Sequence, residues 1–202
     1  MDKLANIMRE MGQNARAASG QLRLAPAQQR ASAIREAATA IEQASQTVLE
    51  ANQKDMQRGT AKGISPAFLD RMRLDAGRVK AIADALRTIA DQPDPLGVEL
   101  QSWQQPNGLR FRKVAVPIGV IGIVYESRPN VTADAAALCL RSGNTAILRG
   151  GSDALQTSLA IFNAFQTGII AAGLPEHCVQ LVTVADRAAV GHLLAGLDNC
   201  LD

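Results

Sequence analysis

Aromatic side chains are scarce in this chain: one tryptophan, one tyrosine and four phenylalanines among 202 residues. With so few rings, and no basic run interleaved with them, a base-stacking surface for nucleic acid is not expected. A formal net charge of +2 is likewise too mild to draw a polyanion. The only histidines are His177 and His192, so no metal-ligand spacing is present. Cys139, Cys178 and Cys200 are few, odd in number and widely spaced, which argues against a disulfide framework. No apolar run approaches the ~18 residues that span a bilayer. The first residues, MDKLANIMREMGQ, carry two acids where a signal peptide has an apolar core. These absences lead to the expectation of a cytoplasmic, metal-free protein with no membrane or nucleic-acid partner.

What is present is an ordinary globular composition, 47% hydrophobic and 20% charged, long enough to bury a real core. The first ninety residues have helical periodicity. Leu4, Ile7, Met8, Met11 and Ala15 share a face behind a candidate cap at Asp2, and Ile34, Ala37, Ala38 and Ile41 form a second stripe after Pro26. Val48, Leu49 and Met56 suggest a third helix ending near Gly59. Ser65-Pro66 opens a short fourth one through Met72. Asp75 caps a fifth, with Val79, Ile82, Ala83 and Leu86 on one side.

The composition shifts at Asp91-Gln92-Pro93-Asp94-Pro95. Residues 97–116 then read as a β-hairpin turning at Pro106-Asn107-Gly108, where Asn-Gly supplies positive-φ residues. The hairpin is expected to project from the core as a solvated arm or an oligomer contact. Beyond Pro117, "IGVIGIVY" (Ile118–Tyr125) reads as a strand covered on both faces. A helix from Val131 to Arg141, a strand from Thr145 to Arg149, a helix from Asp153 to Ala172, a strand from Cys178 to Val184 and a helix from Asp186 complete the pattern. This β-α-β-α-β-α order predicts an α/β fold with a Rossmann-like parallel sheet. The chain thus divides into helices at 1–96, a hairpin arm at 97–116 and a cofactor-binding part at 117–202.

In an open parallel sheet ligands bind beyond the carboxyl ends of the strands. The segments converging there are 126–130, 149–152 and 185–187. The second strand ends in "RGGSD". An arginine at that position accommodates a ribose 2′-phosphate, where an acidic residue would accept from the 2′-hydroxyl. Arg149, Gly150, Gly151 and Ser152 are therefore candidate cofactor ligands. The glycines would admit a ligand to the backbone, and Ser152 would donate at a helix start. By spacing alone, a plain surface turn with a solvated Arg149 remains an equal alternative, and Asp153 an ambiguous neighbour. No G-x-G-x-x-G follows the first strand; Gly119 and Gly122 fall within it as packing residues.

"VPIGVIGIVYESRPNVT" (Val116–Thr132), "LCLRSGNTAILRGGSDA" (Leu138–Ala154) and "AGLPEHCVQLV" (Ala172–Val182) closely resemble the glutamate-5-semialdehyde dehydrogenases, or γ-glutamyl phosphate reductases, of the aldehyde dehydrogenase superfamily. So does "LDRMRLDAGRVKAIADALRTIADQPDPLG" in the helical part. The resemblance implies NADPH-dependent reduction of L-glutamate 5-phosphate to the semialdehyde with release of phosphate, in proline biosynthesis. It puts glutamate 5-kinase forward as a partner, and it favours the phosphate-pocket reading of Arg149-Gly150-Gly151-Ser152. Family members use a cysteine nucleophile in a later domain that none of the three cysteines here matches, so the chain is expected to be the N-terminal cofactor-binding portion and inactive alone. Asn130 is a candidate oxyanion stabiliser and Arg128 a candidate ligand for the substrate's anionic groups. Against these stand a simple helix cap at Asn130 and an exposed Arg128. Tyr125 and Glu126 are expected to be wall residues. A stand-alone nucleotide-binding or oligomerisation module without chemistry is the competing interpretation.

Overall fold

The computed structural model describes residues 3–202; Asp2, the candidate cap of the first helix, lies outside them. Five helices come first: α1 (Lys3–Leu22), α2 (Ala27–Gln43), α3 (Ser45–Ala61), α4 (Pro66–Met72) and α5 (Ala76–Asp91). Asp75 caps α5 as expected, its side chain accepting from the Arg78 backbone N–H at 2.8 Å. The end of α3 differs from expectation. Gly59 lies inside the helix, where a Cβ would meet the Leu69 side chain at 2.9 Å. The chain reverses instead at Gly63, whose φ is +71°.

The hairpin follows as β1 (Glu99–Gln104) and β2 (Arg110–Val114), antiparallel, with Trp103 opposite Phe111. Its turn is one residue longer than the two-residue turn that Asn-Gly favours. Only Gly108 takes a positive φ (+87°), while Gln105 O accepts from Gly108 N and Gln105 N donates to Leu109 O. Pro106 in the second position of an ordinary turn, followed by a left-handed glycine, gives a three-residue bulged loop.

The remainder is β3 (Val120–Val124), α6 (Pro129–Arg141), β4 (Thr145–Arg149), α7 (Leu155–Ala171), β5 (Val179–Leu181) and α8 (Ala188–Leu194). The three strands pair in parallel in the order β3-β4-β5. Central β4 is buried throughout, and its side chains alternate between two cores. Ile147 packs with Leu4, Met8 and Ala15 of α1 and with Leu193 of α8. Ala146 and Leu148 pack on the other side with α2, α5, α6 and α7. Each such large aliphatic side chain contributes about 1.5–3 kcal/mol. The apolar run of β3 reads as covered on both faces; among the described residues it is the outer strand of the sheet, with Val124 48% exposed and Ile118, just before it, 68% exposed. Gly122 does serve packing, since a Cβ there would lie 2.9 Å from Leu201.

The helical first part and the sheet therefore share one interior. The tightest junction is between α2 and α7, where a Cβ on Gly168 would sit 2.5 Å from the Ala33 carbonyl and 2.7 Å from Ala37 Cα. The composition shift near Pro93 is pinned from within. Buried Arg30 grips Asp94 through two 2.8 Å contacts, and Arg141 donates to the Gln92 carbonyl. This fixes where the hairpin leaves the body.

Candidate functional site

Beyond the carboxyl ends of β3 and β4 lies a cavity of about 650 Å³, lined among others by Tyr125, Arg149, Ser152, Arg187 and Val190. The position is that expected for a ligand of a parallel sheet. Arg149 borders it but is not a solvated surface charge, being only 7% exposed. Its guanidinium donates to the Gly150 carbonyl and, at 3.2 Å, to the Ala185 carbonyl, tying the loop after β5 to the end of β4. Its Nε is buried without a partner among the described residues. A guanidinium carries five donors, so these bonds leave capacity for an anion.

The two glycines have a protein neighbour as well. A Cβ on Gly150 would press on the Tyr125 ring at 3.0 Å, and one on Gly151 would lie 2.8 Å from the Ser127 backbone nitrogen. The glycine pair lets the β3–α6 loop approach the end of β4, and Gly151 also lines the cavity. Ser152 is exposed and opens a single 3-10 turn before α7. Asp153 is occupied by Lys62 at 2.9 Å, which settles its ambiguity as a partly exposed ion pair. Arg187, which the sequence marked only as part of a convergent segment, stands on the cavity wall, exposed and with no side-chain partner among the described residues.

The loop 125–130 has a second side. Tyr125 faces the first cavity, its hydroxyl 2.8 Å from Thr132 Oγ1 and pushed above its usual pKa by burial. Asn130 faces a second cavity, of about 320 Å³, between α6 and the α4–α5 segment. Asn130 is not the helix cap. Pro129 takes the first helical position and Arg128 the cap position, and Asn130 sits within α6, donating to Asp134 Oδ2 at 3.0 Å. Arg128 is exposed, pairs with Glu126 at 3.3 Å and borders neither cavity.

None of the cysteines lines either cavity. Cys139 and Cys178 are buried, and burial pushes their thiols up to about 11 and about 12, the range of inert core residues. Cys200 packs against α1, its Cβ 2.9 Å from where a Cβ of Gly12 would stand. Among the described residues no group of three or more His, Cys, Asp or Glu could hold a metal ion, and no helix is long and apolar enough to cross a membrane.

Residues 5–198 match the aldehyde dehydrogenase family. The gamma-glutamyl phosphate reductase of Brucella anthropi is 50% identical over 98% of this chain, and that of Rhodospirillum rubrum 51% over 98%. The alignments take in 47% and 46% of those proteins, so the chain spans about half the length of the curated relatives it matches. In three dimensions it superposes on the Thermotoga maritima gamma-glutamyl phosphate reductase with a TM-score of 0.88 at 37% identity, covering 91% of this chain and 44% of that one. The Saccharomyces cerevisiae enzyme gives 0.84 at 25% identity, covering 96% of this chain and 49% of that one. The chain belongs to the aldehyde dehydrogenase family, and its likeness within that family is to the gamma-glutamyl phosphate reductases.

Proposed function

We propose that these residues form the cofactor-binding part of an NADPH-dependent reductase that converts L-glutamate 5-phosphate to L-glutamate 5-semialdehyde and phosphate. One observation carries the reading. A single loop, "YESRPN", presents Tyr125 to a cavity at the strand ends and Asn130 to a second cavity on its far side. Cofactor and acyl substrate can then meet across five residues of chain. The first cavity suits a phosphorylated dinucleotide: Arg187 and Ser152 are unengaged, and buried Arg149 has unused donors. When bound, NADPH supplies the hydride that replaces phosphate at the acyl carbon. Asn130 spends one amide proton on Asp134 and keeps a second for the developing oxyanion.

The nucleophile lies outside these 202 residues in this reading, because each cysteine here is buried or packed away from both cavities. Purified alone, the chain is expected to bind NADPH but to show no NADP-coupled oxidation of L-glutamate 5-semialdehyde in a spectrophotometric assay. Turnover that vanishes on Cys139→Ala, Cys178→Ala or Cys200→Ala would place the nucleophile within the chain and overturn the division of labour.

The hairpin is proposed as an association arm for a second copy. Every residue of both strands is exposed, and Trp103 and Phe111 stack at 5.3 Å between ring centroids with much of each ring in solvent. Two-stranded elements are marginal unless they pack on something, and an apolar exposed face invites a partner. Removing residues 99–114 should lower the mass measured by light scattering. A monomer before and after removal would exclude the arm.

A further inference from the structure

The second cavity holds more than Asn130. Its α6 side carries Asn130 and Asp134, its α5 side Ile82 and Ala85, and its rim Arg71 and Arg73 of the α4–α5 segment. That rim is held from below. Buried Asn52 donates to the Met72 carbonyl at 2.7 Å and accepts from Leu74 N–H at 2.8 Å, so Arg73 is bracketed by two pinned residues.

The charges around the cavity are unevenly satisfied. Arg78 is spent on the carbonyls of Asp70 and Arg73 and on the Asp70 carboxylate. Arg71 lies over the Phe68 ring and reaches Glu126 only at 3.5 Å. The Arg73 guanidinium has no partner among the described residues. Asp134 has no cation either; its carboxylate accepts one amide bond from Asn130. Burial raises its pKa, and the Asn130 bond opposes the shift. A half-buried carboxylate without a cation and a guanidinium without an anion thus share one small space, of a volume that suits a small metabolite.

A ligand with an ammonium and a carboxylate on one carbon answers both. We propose that this cavity binds the α-amino-acid head of the substrate, with Asp134 receiving the ammonium and Arg73, assisted by Arg71, receiving the α-carboxylate. The proposal rests on the acyl-phosphate reading above and adds to it the source of its substrate selectivity. Scale supports it. The Asn130 amide and the Asp134 carboxylate lie side by side, 3.0 Å apart, and the four single bonds from α-nitrogen to δ-carbon of a glutamyl chain reach about 5 Å, enough to pass from one group to the other. An ammonium at Asp134 leaves the acyl carbon near Asn130.

The test is a titration of the chain with L-glutamate 5-methyl ester, a zwitterion with an uncharged side chain, followed by amide chemical shifts of Arg73, Asn130 and Asp134. N-acetylated and α-amide forms of the same ester serve as controls. The wild-type chain should prefer the zwitterion. Asp134→Asn, which keeps the shape, should weaken the zwitterion about ten- to a hundredfold and leave the N-acetyl form unchanged. Arg73→Gln should do the same for the free carboxylate against the α-amide. Equal affinities of the wild type for all three esters, or variants that weaken all three equally, overturn the proposal. NADPH titrations on the same proteins separate the two readings. Cofactor binding without head-group preference removes this assignment alone, whereas head-group preference without cofactor binding removes the reductase reading alone.

Discussion

Replacing Asp55 with alanine is expected to lower the melting temperature by roughly 5–20 °C, among the largest effects of any single polar substitution in this chain. Asp55 is fully buried on α3, and one of its oxygens accepts from both the backbone N–H and the hydroxyl of Thr157, at 2.8 and 2.7 Å. The other accepts from Arg58. Thr157 belongs to the first turn of α7, five residues past the cofactor candidate Ser152. One turn before Asp55, Asn52 donates to the same Thr157 hydroxyl and holds the rim of the second cavity. A short polar network on α3 therefore anchors an edge of each cavity. Alanine strips two buried donors of their acceptor, at about 1–3 kcal/mol apiece. Asp55→Asn keeps an acceptor for Thr157 but sets an amide NH2 against the Arg58 guanidinium in place of an acceptor, so it should lose some stability, though less than Asp55→Ala. Thermal melts of both variants check this. An unchanged melting temperature in Asp55→Ala would mean that the network does not anchor the cavities.

The elements legible in the sequence are those whose signals are local. The strand Thr145–Arg149 was bounded by Gly143 on one side and Gly150 on the other, and Asp75 announced α5 by its position before an apolar stripe. Where the fold departs from the local signals, the deciding contact is distant in sequence. Gly59 resembles a helix terminator, but Leu69, folded back from α4, makes it a packing residue. Proline at the first helical position identified α4 from Ser65-Pro66; the same rule at Arg128-Pro129 would have placed Asn130 inside α6.

The candidate site was legible in outline and not in detail. "RGGSD" does border a cavity at the strand ends, but nothing in the sequence showed that Arg149 would be buried against the Ala185 carbonyl or that Gly151 would be pressed by Ser127. Arg73 was invisible as a candidate, and Arg187 stood out only as part of the convergent segment 185–187. Along the chain they look like any solvated charge, and their distinction is that the fold leaves them unpaired on cavity walls.

Arg187→Ala should weaken NADPH by about ten- to a hundredfold, the worth of one charge-assisted hydrogen bond, and leave NADH nearly unchanged. The 2′-phosphate is the charged group that separates the two cofactors, and among the described residues Arg187 has no acceptor that its removal would leave unsatisfied. Arg149→Ala should show the same selectivity together with a loss of stability, because the Gly150 and Ala185 carbonyls lose their donor. The NADPH preference should also shrink as salt rises, since the cavity opens to solvent. Calorimetric titration of NADPH and NADH against the wild-type chain, Arg187→Ala and Arg149→Ala measures this directly. The account predicts that wild type prefers NADPH and that both variants lose this preference while retaining NADH. Equal losses for the two cofactors, or no preference in the wild type, would contradict it.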